Sequence, residues 1–213
     1  MNFTESIRYL GERICAVRTF PVYICFLNSG KKDVILKDIR RWQHEISISD
    51  PSILEKSTFQ MMNWLLMRCK EFRNLIQHRL KRDPIPAKGL LFYAVARMLW
   101  KPLDSLFLWT EEIGGGFYIQ HGFSTVVTAE RIGENCWVNQ QVTIGYNQQG
   151  RPTLEDNTRV YCGAKVIGKV TMKRNSIAGA NAVVVSDVPE NAVVGGAPAK
   201  ILKYIDEADM DPV

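Results

Sequence analysis

The sequence is poor in the residues and patterns that mark several large classes of protein. It holds three histidines and five cysteines in 213 residues. The cysteines (15, 25, 69, 136 and 162) are scattered and odd in number, with no CxxC pair and no cluster with histidine. That spacing supports neither a disulfide framework nor a zinc site. No metal is expected, and a reducing, cytoplasmic setting is the simplest reading. Long apolar runs are also missing. The longest, GLLFYAVARMLW at 89–100, includes Arg97 and is about 12 residues long, against the roughly 20 that a spanning helix needs. The stretch MNFTESIRYLGERICAVRTF mixes acids and arginines among its apolar residues, unlike the uninterrupted core of a signal peptide. There is no nucleic-acid-binding motif and no long basic run, so nucleic acid is not an expected partner.

What is present is ordinary in amount, at 46% hydrophobic and 23% charged, but uneven in placement. Residues 1–110 carry 18 Lys/Arg against 10 Asp/Glu, while residues 111–213 carry 9 against 12. A basic half can attract anionic lipid or a negatively charged ligand, and a solvated helix face explains the same charges more plainly. Peripheral membrane association through this half, with Trp100 and Trp109 near the interface, is one expectation to test.

The first half has helical periodicity. From Asp50, a plausible N-cap followed by Pro51, apolar residues recur at Ile53, Leu54, Phe59, Met62, Leu65, Leu66, Cys69, Phe72, Leu75, Ile76 and Leu80. Steps of three and four define one apolar helix face. RDPIPAKG at 82–89 ends that helix with two prolines and a glycine. A further helix is expected at about 90–100 and an earlier one at about 32–48. His44 and His78 fall on these helices and read as surface or packing residues.

The second half changes period. Aliphatic residues fall at 113 and 119, then 126, 132, 138 and 144, then 154, 160, 166, 172, 178 (an alanine) and 184. Within each block the step is six. Four residues after many of them comes a small or medium side chain, as in Cys136, Val142, Thr158, Ala164, Ser176 and Ala182. A six-residue repeat is the signature of a parallel β-helix, with three hexads per coil and about four coils here. The aliphatic residue points inward and the small residue fits the corner. The Gly or Asn after the aliphatic residue (Gly114, Gly133, Asn139, Gly145) is expected to take the left-handed turn. Two slips break the register and should map to loops. One extra residue falls between Ile119 and Val126, in QHGFST, and four fall between Ile144 and Leu154, giving the loop YNQQGRPT. His121 lies in the first.

IGGGFYIQHGFSTVVTAERIGENCWVNQQVTIG together with GAKVIGKVTMKRNSIAGANAVVVSDVPENAVVGGAPAKIL resembles the catalytic domain of the serine acetyltransferases, a family of hexapeptide-repeat acyltransferases. The closing VVGGAPAKIL is similar to that family's G-x-P-A-K/R end motif. The resemblance implies an α+β chain. Residues 1–109 would be a helical N-terminal domain, 110–203 a single-stranded left-handed parallel β-helix, and 204–213 a C-terminal tail. It also implies a homotrimer with acetyl-CoA bound between subunits, and in some relatives a dimer of trimers through the helical region.

The resemblance assigns residues in turn. His121 falls on the catalytic histidine, a general base for an acceptor hydroxyl and then an acid for the leaving thiolate. Gly145, Gly163, Ala164, Gly179 and Ala180 fall on turns near the CoA arm, and Lys200 on a basic residue near its phosphates. For the glycines, corner geometry is the competing explanation. The sequence departs from the family at three positions. Gln120 replaces an acid before the histidine. Leu106 stands where an orienting aspartate is expected, leaving Asp104, Glu111 and Glu112 as candidates. The acceptor loop retains Arg151 alone, which with Gln120 is the expected acceptor-binding pair. The implied activity is acetyl transfer to a hydroxyl, with L-serine as the default acceptor. A sugar hydroxyl in capsule, exopolysaccharide or lipopolysaccharide synthesis is the alternative. A non-catalytic β-helix scaffold is a third reading, against which His121 and GGAPAK stand.

Overall fold

The structure is a computed structural model describing residues 3–206, with side chains described for Gly11 and from Arg13 onward. The chain divides into two compact units, Met1–Pro102 and Leu103–Val213. The first contains α1 (Phe3–Asn28), α2 (Lys32–Ser47), α3 (Thr58–Arg68), α4 (Lys70–Lys81) and α5 (Pro86–Leu99). Its core gathers Phe26, Ile35, Ile39, Trp42, Met61, Met62, Leu65, Leu66, Phe72, Leu75 and Ile76, all nearly inaccessible.

The long helix expected from Pro51 to Leu80 is instead broken twice. Asp50 does cap, accepting from the Ser52 amide at 3.2 Å, but it opens only a short 3₁₀ turn, Pro51–Glu55. Ser57 then starts α3 through a reciprocal capping box with Gln60. Cys69 is extended (φ −111°, ψ 99°) and separates α3 from α4. The apolar periodicity runs on across these breaks because each piece turns the same face to the core. Arg79 and Asp38 form a buried two-point ion pair at 2.9 and 3.1 Å between α4 and α2. Trp100 is buried, 4% exposed, with the guanidinium groups of Arg18 and Arg73 over its ring. It therefore lies at no lipid interface.

Among the described residues of the second unit, fifteen strands form three faces. The first face carries β1 (Leu106–Leu108), β4 (Thr125–Val127), β7 (Thr143–Gly145), β10 (Lys165–Ile167) and β13 (Val183–Val184). The second carries β2 (Glu112–Ile113), β5 (Arg131–Ile132), β8 (Thr153–Leu154) and β11 (Thr171–Met172). The third carries β3 (Tyr118–Ile119), β6 (Trp137–Val138), β9 (Arg159–Val160), β12 (Ile177–Ala178), β14 (Ala192–Gly195) and β15 (Lys200–Tyr204). Every pairing is parallel except β14 with β15. The five strands of the first face count five coils, one more than the repeat alone suggested. The extra coil opens at β1, so the β-helix begins at Leu106 rather than near 110. Its far end is covered by the antiparallel β15, and residues 207–213 of the expected tail lie outside the described residues.

Two details of the repeat differ from expectation. The inward residue of β4 is Val127, fully buried and paired with Ile144, whereas Val126 is half-buried. The step from Ile119 to the next inward residue is therefore eight, and the step from Val127 to Ile132 is five. The left-handed residues are not those that directly follow the inward aliphatics. At two corners they come three after them, Gly116, Asn135, Asn157, Asn175 and Asn191 at one and Gln141, Gly163 and Asn181 at the other, while His121, Gly168 and Gly196 come two after Ile119, Val166 and Val194. The asparagines stack, with Asn157 donating to Asn175 at 2.9 Å and Asn175 to Asn191 at 2.9 Å. Gly114 and Gly133 are glycine for closeness instead. A Cβ on Gly114 would meet the Gly133 carbonyl oxygen at 2.4 Å. The six small or medium corner residues are all fully buried.

Candidate active site

The corner between the third and first faces carries most of the residues that the sequence singled out. On successive coils it comprises Gln120–Ser124, then Asn139–Val142, then Tyr161–Ala164, then Gly179–Ala182, and last the hairpin 196–199. The first of these is the widened one. Its two extra residues lift His121 and Ser124 into left-handed conformations, both at φ 54°. A non-glycine residue pays about 1 kcal/mol for that. The turn is held by the Phe123 amide donating to the His121 carbonyl at 2.8 Å and by the Gln141 amide donating to the Phe123 carbonyl at 3.0 Å. The His121 side chain is exposed at its apex.

Gln120 sits beneath it. Its amide donates to the Val138 carbonyl, and its side-chain oxygen accepts from Asn139 Nδ2 at 2.8 Å. Gln120 is thus tied to the next coil. Asn139 Oδ1 and Gln140 Oε1 are buried on that coil without a hydrogen-bond partner among the described residues, so two acceptors stand one coil from His121. Sequence reasoning missed both; polar residues in repeat turns carry no signal of their own.

The three candidate orienting carboxylates are separated by the fold. Asp104 precedes β1 on the same corner as His121, where the neighbouring Ser105 carbonyl accepts from the Thr125 amide at 3.1 Å. Glu111 and Glu112 lie across the first face, and Glu112 pairs with Arg131 Nε at 3.3 Å. Leu106 is buried. Gly145 and Arg151 also belong to the far edge, the corner between first and second faces. There the loop 146–152 closes on a tight turn, with Asn147 and Gly150 exchanging backbone hydrogen bonds at 3.1 and 3.2 Å. Arg151 is exposed beside it. In one chain, His121 and Arg151 therefore flank opposite edges of the first face.

The remaining candidates continue along the His121 edge. Gly163 is left-handed (φ 73°), and a Cβ there would strike Asn181 Oδ1, so its identity follows from the coil itself. Ala164 is fully buried, with its backbone amide and carbonyl both used within the coil. The Gly179 amide is likewise committed, to the Val194 carbonyl at 2.8 Å, whereas Ala180 is exposed. Lys200 opens β15 opposite Gly195 and is exposed. From the coil of His121 to that of β14 is four strand spacings, about 19 Å. The edge thus runs past small residues, of which Ala180 is exposed, between a histidine at one end and a lysine at the other. Among the described residues no group of three or more His, Cys, Asp or Glu is placed to hold a metal ion. Cys136 is packed in the coil, its thiol 3.2 Å from Thr158 Oγ1.

These features define a left-handed parallel β-helix of the hexapeptide-repeat kind. Its likeness to known proteins is specific. The chain is 41% identical over 97 residues to the serine acetyltransferase of Bacillus licheniformis, covering 43% of this chain and 44% of that protein. It is 36% identical over 122 residues to that of Bacillus subtilis strain 168, covering 52% and 55%. The chain thus spans about half the length of the curated relatives it matches. No protein-family model matches it. Among solved structures, the serine acetyltransferase of Neisseria gonorrhoeae in complex with serine aligns with a TM-score of 0.58 at 22% identity, covering 86% of this chain and 74% of that one. The Brucella abortus serine acetyltransferase in complex with coenzyme A gives 0.55 at 21%, covering 82% and 68%. The structures share the fold, and about half of this chain is similar in sequence to the serine acetyltransferases.

Proposed function

We propose that the chain is an acetyl-CoA-dependent O-acetyltransferase of the serine acetyltransferase type, with His121 as the base. The observation that carries this reading is the exposed histidine lifted from a widened corner of an acetyltransferase-like coil. The acceptor hydroxyl gives its proton to the His121 imidazole as its oxygen attacks the thioester carbonyl carbon. The resulting oxyanion is stabilised by turn N–H groups. The intermediate then collapses with cleavage of the carbon–sulfur bond. The imidazolium returns the proton to the thiolate, leaving an O-acetyl ester and free CoA thiol. No covalent acyl-enzyme and no metal is needed. Asp104, on the same corner, is the carboxylate best placed to orient the imidazole. Acetyl-CoA lies along the edge from His121 toward Lys200.

The two edges of the first face favour a homotrimer. His121 and the Arg151 loop diverge within one chain, and a threefold arrangement sets the loop of one copy against the corner of the next. L-serine is the first acceptor to test, because relatives that act on serine give the similarity. A sugar hydroxyl is the second, and Gln120 in place of an acid favours it, since a carboxamide suits a neutral polyol better than an ammonium group. Thiol release from acetyl-CoA, followed with L-serine and then with sugar acceptors, separates them. His121→Ala should lower turnover by about 10²–10⁴-fold with folding and CoA binding intact. Retained turnover refutes the base assignment, and a purified protein that binds no CoA in calorimetry revives the scaffold reading.

A further inference from the structure

The helical unit has a face that its own core leaves uncovered. α1 and α5 run antiparallel side by side, tied at both ends. The Arg18 guanidinium donates to the Leu99 carbonyl, and the Lys88 ammonium to the Asn28 carbonyl. The inner side of α1 is spent on α3, through Thr19 hydrogen-bonding Asn63 and Tyr23 meeting Phe59 edge-on. Its outer side repeats Ile14, Val17, Phe20, Ile24 and Leu27 at steps of three and four, all exposed. α5 exposes Leu90, Leu91 and Met98. Val17 and Met98 are 74% and 78% exposed, more than isolated surface apolar residues require.

Along the two stretches that carry these side chains the charge is of one sign. From Arg13 to Asn28 the chain has no acidic residue, and from Pro84 to Leu103 it has none either. These segments carry Arg13, Arg18, Lys88, Arg97 and Lys101. Arg13, Arg18, Arg97 and Lys101 are exposed, and Arg18 keeps its place with its guanidinium 4.5 Å from the Trp100 ring centre. Exposed aliphatic and phenyl side chains flanked by cations match a bilayer surface that offers acyl chains and anionic headgroups together. A second copy of the chain fits worse. A two-fold contact sets each patch against itself, so these cations would meet their own copies with no carboxylate from Arg13 to Asn28 or on α5 to offset them, the acids of α1 being Glu5 and Glu12 ahead of that stretch.

We propose that the outer face of α1 and α5 docks the protein on an anionic lipid surface. Apolar side chains enter the headgroup region and the flanking arginines and lysines pair with lipid phosphates. Trp100 plays no direct part, and the docking does not depend on which acceptor the β-helix uses. The test is flotation of the intact chain with vesicles of phosphatidylcholine doped with phosphatidylglycerol, against pure phosphatidylcholine. The expected result is strong flotation on the anionic vesicles only, weakened by added salt. Val17→Glu and Met98→Glu, at exposed positions where folding should be unaffected by circular dichroism, should each reduce partitioning by about tenfold, as should Arg97→Glu. No flotation on anionic vesicles overturns the proposal. So does equal binding to neutral vesicles, or binding indifferent to the three variants. Sedimentation without vesicles completes the test: a larger assembly that Val17→Glu dissolves would assign the face to a second copy and overturn the lipid assignment.

Discussion

Asn175→Ala measures how much of the coil is held by one corner residue. Asn175 is 4% exposed and sits at φ 58° in the asparagine stack. It accepts from Asn157 Nδ2 and donates to Asn191 Oδ1, each at 2.9 Å. Alanine removes both hydrogen bonds, about 1 kcal/mol each, and holds a residue without asparagine's tolerance in the left-handed region for about 1 kcal/mol more. The expected loss is about 3 kcal/mol. Asn175→Gly loses the same two hydrogen bonds but not the backbone penalty, so it should cost about 2 kcal/mol. Urea unfolding followed by circular dichroism reads both from the midpoint shift. The decisive quantity is the gap between the two variants. If alanine proves as stable as glycine at this position, the left-handed corner carries no energetic cost. If both match the parent, the stack contributes nothing.

Three further outcomes are expected. Val127→Ala should cost about 2–3 kcal/mol and Val126→Ala under about 1 kcal/mol by urea unfolding, since only Val127 points into the coil; the reverse order would place the register at Val126. Asp38→Ala leaves the Arg79 guanidinium, 4% exposed, without this carboxylate, and should destabilise the helical unit by about 3–5 kcal/mol in thermal melts. Burial pushes the Cys136 thiol up to about 11 and the Cys69 thiol up to about 12. In the unfolded chain each ionises near 9, so between about pH 9 and 11 the unfolded state holds fewer protons than the folded one, and stability must fall as pH rises. Removing the Cys136 contribution with Cys136→Ala should flatten that decline, by an amount on the order of 2–3 kcal/mol across the window. A decline of unchanged slope would show that the Cys136 thiol is not held protonated.

The six-residue spacing of aliphatic side chains determined the parallel β-helix, because nothing but a coil of short strands returns every sixth residue to one interior. It also located both disturbances of that wall, and with them His121 and the 146–152 loop. Apolar steps of three and four marked the helical half in the same way, but could not show where its helices stop. Capping at Ser57 and the extended Cys69 interrupt the backbone while leaving the buried face continuous. α1 carried no clear stripe of its own, since it is apolar on both its packed and its open sides.

Tertiary structure alone decided the rest. Val126 and Val127 are interchangeable to a periodicity count, and only pairing with Ile144 selects the inward one. Eight of the left-handed corner residues follow the inward residues by three, a spacing fixed by how coils stack. The candidate site depends on that stacking as well. Asp104 and His121 share an edge although 17 residues separate them, while Glu112 and Arg151, as prominent in the sequence, fall on other parts of the prism. Asn139 reaches Gln120 because a parallel coil sets residues about one turn apart side by side. Composition along the chain records which side chains are available, but the coil's pitch determines which of them meet.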